Sequence, residues 1–240
     1  MESITAKVEI LQRTRSALDV LEAENHAAFL DSLRENILSF KVRFPLLENV
    51  GKELFARIPW KYQLKIADEI NALGELGSYP VVGIMLQLRL EMDFNNSMEK
   101  ATDYIVEGNE WFVCDIIGER VMGFALLTQP ENTLPLLKKM LKHESFWINR
   151  CVGVAGHYAI KKGLAKKYVE DYFELLLTQK NATNFHTKRG IGWAAKTAAK
   201  FYPELIRKHE NEIEQAGMWF KKKVEIGLGR FSKYATKYPR

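Results

Sequence analysis

Cysteine is scarce in this chain, alternating apolar and polar stretches are nearly missing, and long apolar runs are absent. Each shortage excludes something. The 240 residues hold 2 cysteines, Cys114 and Cys151, in no CxxC and in no His–Cys pairing at metal-ligand spacing. Both lie inside helical patterns and read as reduced, buried thiols of a cytoplasmic protein; a disulfide between them would need closely stacked repeats. No apolar run approaches the roughly 20 residues that span a bilayer, so no membrane partner is expected. The opening MESITAKVEI lacks the apolar core of a secretory signal. There is no P-loop and no GxSxG, and no metal or other cofactor is expected.

Apolar residues instead recur at three- and four-residue spacing almost everywhere. This predicts helices over about 4–23 and 26–40, then an extended KVRFP in which Pro45 biases Phe44 away from helix. Further helices are predicted at 46–57, 60–73 (closed by Gly74), 79–94, 97–107, 110–128 and 133–143. The remaining ones are 145–162, 164–179, 185–201, 203–215 and a basic last helix from about 217. The connections GELGS, DFNNS, TQPENT, KHES and TQKNATN are short and polar, and none is an interdomain linker. Short loops make neighbouring helices antiparallel, and the expectation is an all-α chain forming one domain over 1–240.

Charge is divided unevenly. Residues 138–240 hold 22 Lys and Arg against 9 Asp and Glu, a net of +13, whereas residues 1–137 hold 13 against 21, a net of −8. Such a positive half favours a polyanion, of which nucleic acid is the common case, although a solvated Lys-rich helical surface has the same composition.

Certain intervals recur. Trp111 to Arg150 is 39 positions, Arg150 to Arg189 is 39 again, and Asp115 to Trp193 is 78. A period of this size belongs to helical-pair repeats, which stack into an α-solenoid (α-α superhelix) of the HEAT-like kind. Trp111 and Asp115, one turn apart, would share a surface with Arg150 and His157 of the next repeat and with Arg189, Trp193 and Lys196 of the one after. Each piece has a plainer use: a Trp in repeat packing, an Asp paired with Arg150, and His157 as a surface or interface residue. The small residues of GIG at 190–192 would let another backbone approach closely.

W-x-x-x-D at 111–115, the aromatic-x-x-R at 147–150 and IGW at 191–193 resemble the AlkD-like DNA alkylation-repair glycosylases. GIGWAAKTAAKFYPELIRKH is similar to that family's G-W-x-x-[RK]-x-x-[AG]-x-x-x-P stretch, and LRENILSFKVRFP resembles its early N-x-x-x-F-x-G motif. The likeness spans about residues 30 to 215. It implies a glycosylase that hydrolyses the N-glycosidic bond of cationic N3- and N7-alkylated purines in duplex DNA. Asp115 would then be the catalytic carboxylate, Trp111 and Trp193 the cleft walls, and Arg150 the residue facing the DNA backbone at the lesion. The basic half, about 110–240, would face DNA, with Lys161, Lys162, Lys188, Arg189, Lys196 and Lys200 as phosphate contacts; Lys166, Lys167 and the Lys221–Lys223 run are further candidates. A monomer in the cytoplasm, near the nucleoid, is the expected state.

The sequence departs from the family pattern at Lys41, where a glycine is usual, at Ser32, near an aromatic DNA-contacting position, and at Phe112. Two other readings stay open: a non-catalytic relative that binds DNA, and a HEAT scaffold for proteins.

Overall fold

A computed structural model describes residues 2–22 and 26–237, with the side chains of 22 and 231–237 excepted. The predicted first-helix boundary at 23 and residues 238–240 of the last helix lie outside the described residues. The chain is all-α helical-repeat in class and folds as two compact units, 1–104 and 105–240.

The first unit opens with β1 (Ser3–Ile4), which pairs in parallel with β2 (Lys41–Val42). Ile4 is therefore a buried strand residue and not the first residue of a helix, a local pairing too short to leave an alternating pattern. Then come α1 (Lys7–Glu22), α2 (His26–Leu33) with a π turn over Arg34–Leu38, α3 (Phe44–Arg57), α4 (Trp60–Ala72) and α5 (Ser78–Arg89). α6 (Phe94–Gly108) straddles the division between the units. α3 starts at Phe44, two residues earlier than expected. Pro45 occupies the first turn, where its missing N–H costs nothing, and the extended residue is Arg43. α1 packs on α3 and α3 on α5, burying Ile10, Val50, Leu54 and Ile84.

In the second unit α7 (Trp111–Gly118) passes through a π turn (Glu119–Gly123) into α8 (Phe124–Thr128). After these come α9 (Pro130–Met140), α10 (Phe146–Lys162), α11 (Lys166–Leu177) and α12 (Phe185–Phe201). The helix predicted over 203–215 is two, α13 (Pro203–Lys208) and α14 (Glu210–Glu214), separated at His209, and α15 (Met218–Lys237) follows. α7, α10, α12 and α15 pack one on the next as a row, while α9 and α11 pack against each other.

Within this row α10 and α12 approach closely for a visible reason. A Cβ on Gly153 would overlap the Gly190 carbonyl, and a Cβ on Gly190 would overlap the Arg150 carbonyl. No other residue type permits that spacing. The approach that the small residues at 190–192 suggested is thus made by Gly190 against α10, whereas Gly192 lies under the Lys223 side chain of α15.

Candidate active site

α7, α10 and α12 each begin with an aromatic residue, at Trp111, Phe146 and Phe185. These starts set the true register of the row. The fifth residues of the three helices are Asp115, Arg150 and Arg189, so Asp115 faces Arg150 at a separation of 35 and not the expected 39. The four-residue difference is one helical turn.

Asp115 and Arg150 meet in a two-pronged ion pair. Arg150 Nε donates to Oδ1 at 2.8 Å and Nη2 to Oδ2 at 2.7 Å. Such a fork fixes both side chains in one plane. The two side chains retain 18% and 11% of their accessible surface, so they are shielded but reachable. Burial acts against the Arg150 charge, and the hydrogen bonds and attraction to Asp115 outweigh it, so its pKa lies above the ordinary arginine value. One turn past Asp115, burial raises the Glu119 carboxyl, helped by the Asp115 charge and opposed by Arg120, Lys161 and Lys162.

Trp111 is 55% exposed, its indole edge-on to Phe112. Asn109 takes a left-handed backbone (φ 46°) between α6 and α7, and its Oδ1 accepts from the indole Nε1 of buried Trp147 at 2.7 Å. Trp147 in turn packs on His186 of α12, with centroids 4.2 Å apart. Asn184 caps α12 through hydrogen bonds from the backbone N–H groups of His186 and Thr187.

Trp193 lies one turn beyond Arg189, and its ring contact is His157 of α10, stacked with centroids 3.9 Å apart and planes 22° from parallel. Thr197 Oγ1 donates to the Trp193 carbonyl at 2.9 Å and lies 2.7 Å from His157 Nδ1. A threonine has one proton to give, so Nδ1–H donates to Oγ1 and Nε2 carries the lone pair. Burial, then Lys161 and Lys196, lower the His157 pKa to about 4, which leaves the ring neutral against the indole. Burial also lowers the Lys196 ammonium, with Arg230 and Lys223 acting in the same sense.

The other basic residues are distributed more widely. Arg189 lies over the Phe185 ring at 5.0 Å, Lys162 over Tyr158 at 5.8 Å and Lys200 over Phe201 at 4.7 Å. Lys188, next to Arg189 on α12, is half-buried. Lys166 and Lys167 are on α11 and pair with Glu204 and Glu131, away from the row's ion pair. Cys114 and Cys151 are free and fully buried. The Cys114 thiol donates to the Trp147 carbonyl, and burial raises its pKa well above the ordinary value. Ser32, at the early departure from the family pattern, accepts a hydrogen bond from Asn36.

Asn109, Thr197 and Arg230 escaped the sequence reading, and Trp147 entered it only as the aromatic of the 147–150 motif. Thr197 carried a faint signal, sitting one turn from Trp193; the other three act through contacts that only packing creates. Among the described residues no group of three or more His, Cys, Asp or Glu could hold a metal ion, and no helix is long and apolar enough to cross a membrane.

A comparison with curated proteins finds no match. Among solved structures, the chain is similar to AlkD2 from Streptococcus mutans, with a TM-score of 0.70 and 13% identity over 85% of this chain and 97% of that one. At that identity the likeness speaks for the fold. A family model described as DNA alkylation repair enzyme matches residues 11–216, which includes the ion pair, Trp111 and Trp193. The chain therefore belongs to the DNA alkylation repair enzyme family.

Proposed function

We propose that the chain is a DNA glycosylase that hydrolyses the N-glycosidic bond of cationic N3- and N7-alkylpurines in duplex DNA. The observation that carries this reading is the shielded Asp115 carboxylate, fixed by Arg150 within four residues of an exposed tryptophan. An alkylated purine already bears positive charge. When its C1′–N bond breaks, the bonding pair leaves with the base, which departs neutral, and the sugar takes on oxocarbenium character. A carboxylate beside C1′ stabilises that cation and orients the water that attacks it, accepting the proton that water sheds. Trp111 offers an exposed indole face to the cationic nucleoside and Trp193 the face that His157 leaves uncovered, each attraction being about 0.5–2 kcal/mol. Arg150 can serve either of two acceptors, Asp115 and a backbone phosphate. A phosphate arriving at Arg150 would loosen the fork and free one Asp115 oxygen for the sugar. Lys161, Lys162, Lys188, Arg189, Lys196 and Lys200 supply the salt-sensitive part of the binding.

The test is base release from a duplex containing one N7-methylguanine or N3-methyladenine. Native protein should release the base, and Asp115→Asn should lower the rate about a hundredfold or more, the usual scale for one preorganised electrostatic group. No release by native protein, with salt-sensitive binding to the same duplex intact, sinks catalysis on these lesions. A second reading, a non-catalytic DNA-binding relative, is favoured by one observation: Arg150 already occupies both Asp115 oxygens.

A further inference from the structure

A cavity of about 210 Å³ opens where α10, α12 and α15 come together. His157 and Lys161 line it from α10, Trp193, Lys196 and Lys200 from α12, and Arg230 from α15. No carboxylate is among the described residues that line it. Four cationic side chains from three helices thus converge on one small space. The crowding registers in two separate groups, since neighbouring cations depress both His157 and Lys196 after burial has done so. Clustering like charges is unfavourable, and a fold bears it at a place where an anion offsets it.

Size and rigidity narrow the anion. At roughly 30 Å³ per water the space equals about seven waters, enough for one phosphate group with a few bridging waters. It is smaller than the roughly 300–1,000 Å³ of sites that enclose whole small molecules. The wall beside it is held in place by the flat Trp193–His157 stack and by the chain from His157 through Thr197 to the Trp193 carbonyl. We infer that this cavity is a subsite for a single phosphodiester of the bound DNA strand, gripped by Lys196, Lys200 and Arg230. The assignment to a strand rests on the DNA reading above, and it makes α15 part of the recognition surface. It also gives Trp193 a defined neighbour: one phosphate held beside the indole sets the register of the nucleotides along the row.

Neutral methylphosphonate linkages, placed singly around one N7-methylguanine whose 2′-fluorinated sugar resists base release and whose lesion fixes the register, test this without any base release. One linkage, when neutral, should weaken binding of native protein by about tenfold, and the loss at that position should vanish in Lys196→Met and in Arg230→Met. Lys208→Met, which removes a charge paired with Glu170 on the outer helices, should keep the native pattern. No position-specific loss, or a loss that persists in both cavity variants, overturns the inference. Inorganic phosphate, titrated while the His157 ring resonances are followed, separates the cavity from the strand. A saturable shift that Lys196→Met abolishes supports phosphate recognition, and its absence sinks it. If phosphate saturates the cavity but native protein binds no duplex, the strand assignment falls together with the DNA reading.

Discussion

At Asp115 and Arg150 two opposite charges meet in a double hydrogen bond of 2.7 and 2.8 Å, leaving neither without a partner. Farther along the row, Lys161 of α10, Lys196 of α12 and Arg230 of α15 surround Trp193 and His157 with no carboxylate among the described lining residues. The same row of helices therefore has one level where charge cancels internally and another where cations crowd together. The first is stable by itself and must be opened by a competitor. The second carries a repulsion that an incoming anion relieves. The proposed activity, gripping an anionic strand and acting on a cationic base, would use both kinds of place.

The most severe way to break the comparison is to force the levels apart. Gly190→Val should destabilise the protein by more than about 3 kcal/mol, because the added carbons meet α10 backbone and not a side chain that can turn aside. Chemical denaturation would read this, and a midpoint near that of native protein would mean that the α10–α12 contact is softer than its geometry implies. Arg150→Met should cost roughly 2–3 kcal/mol by leaving a shielded carboxylate unpaired, and Asp115→Leu added to it should recover most of that loss. A double variant as unstable as the sum of the singles would count against the ion pair as the cause.

His157 offers a pH test. Its folded pKa, about 4, lies below the ordinary 6.5, so the unfolded chain binds more protons between those values. Stability from the neutral ring is therefore complete above about pH 6.5 and lost as pH falls towards 4. Discounted for the ring's partial exposure, the loss should be on the order of 2 kcal/mol. His157→Phe should remove this dependence, measured as the change in urea midpoint between pH 7.5 and pH 4.5. Asn184→Ala, which deletes the side-chain cap of α12, should cost about 1 kcal/mol in the same measurement. The smallest effect has the opposite sign. Lys196→Met should stabilise the free protein by roughly half a kcal/mol or less at low salt and by nothing measurable at high salt. A loss of stability there would mean that Lys196 holds the fold and not a ligand.

Most helices were legible because each carries its own apolar stripe at three- and four-residue spacing, and a stripe is a local property. α12 at 185–201 and α10 ending at 162 matched the expected limits to within a residue. The misses are of another kind. Ile4 joins a strand because Lys41 and Val42 happen to lie beside it, and the 203–215 helix breaks at His209, which packs on Phe173 of α11. The site divides in the same way. Asp115 and Arg150 stood out as residue types at suggestive intervals and as an available ion pair, but the 39-residue period put Arg150 opposite Trp111, one turn from the partner it has.

The sequence by itself determined that the chain is helical, repeated in pairs and basic in its second half, since propensity, periodicity and composition are written residue by residue. Tertiary structure alone decided which repeated positions face one another. A helix can slide by one turn against its neighbour and keep its apolar stripe buried. What stops the slide is the contact of Gly153 with Gly190, whose missing side chains admit the two backbones at one register. That register lays Trp193 on His157 and, with α15, gathers cations from three helices around one small cavity, while Asp115 meets Arg150 in the separate register of α7 on α10.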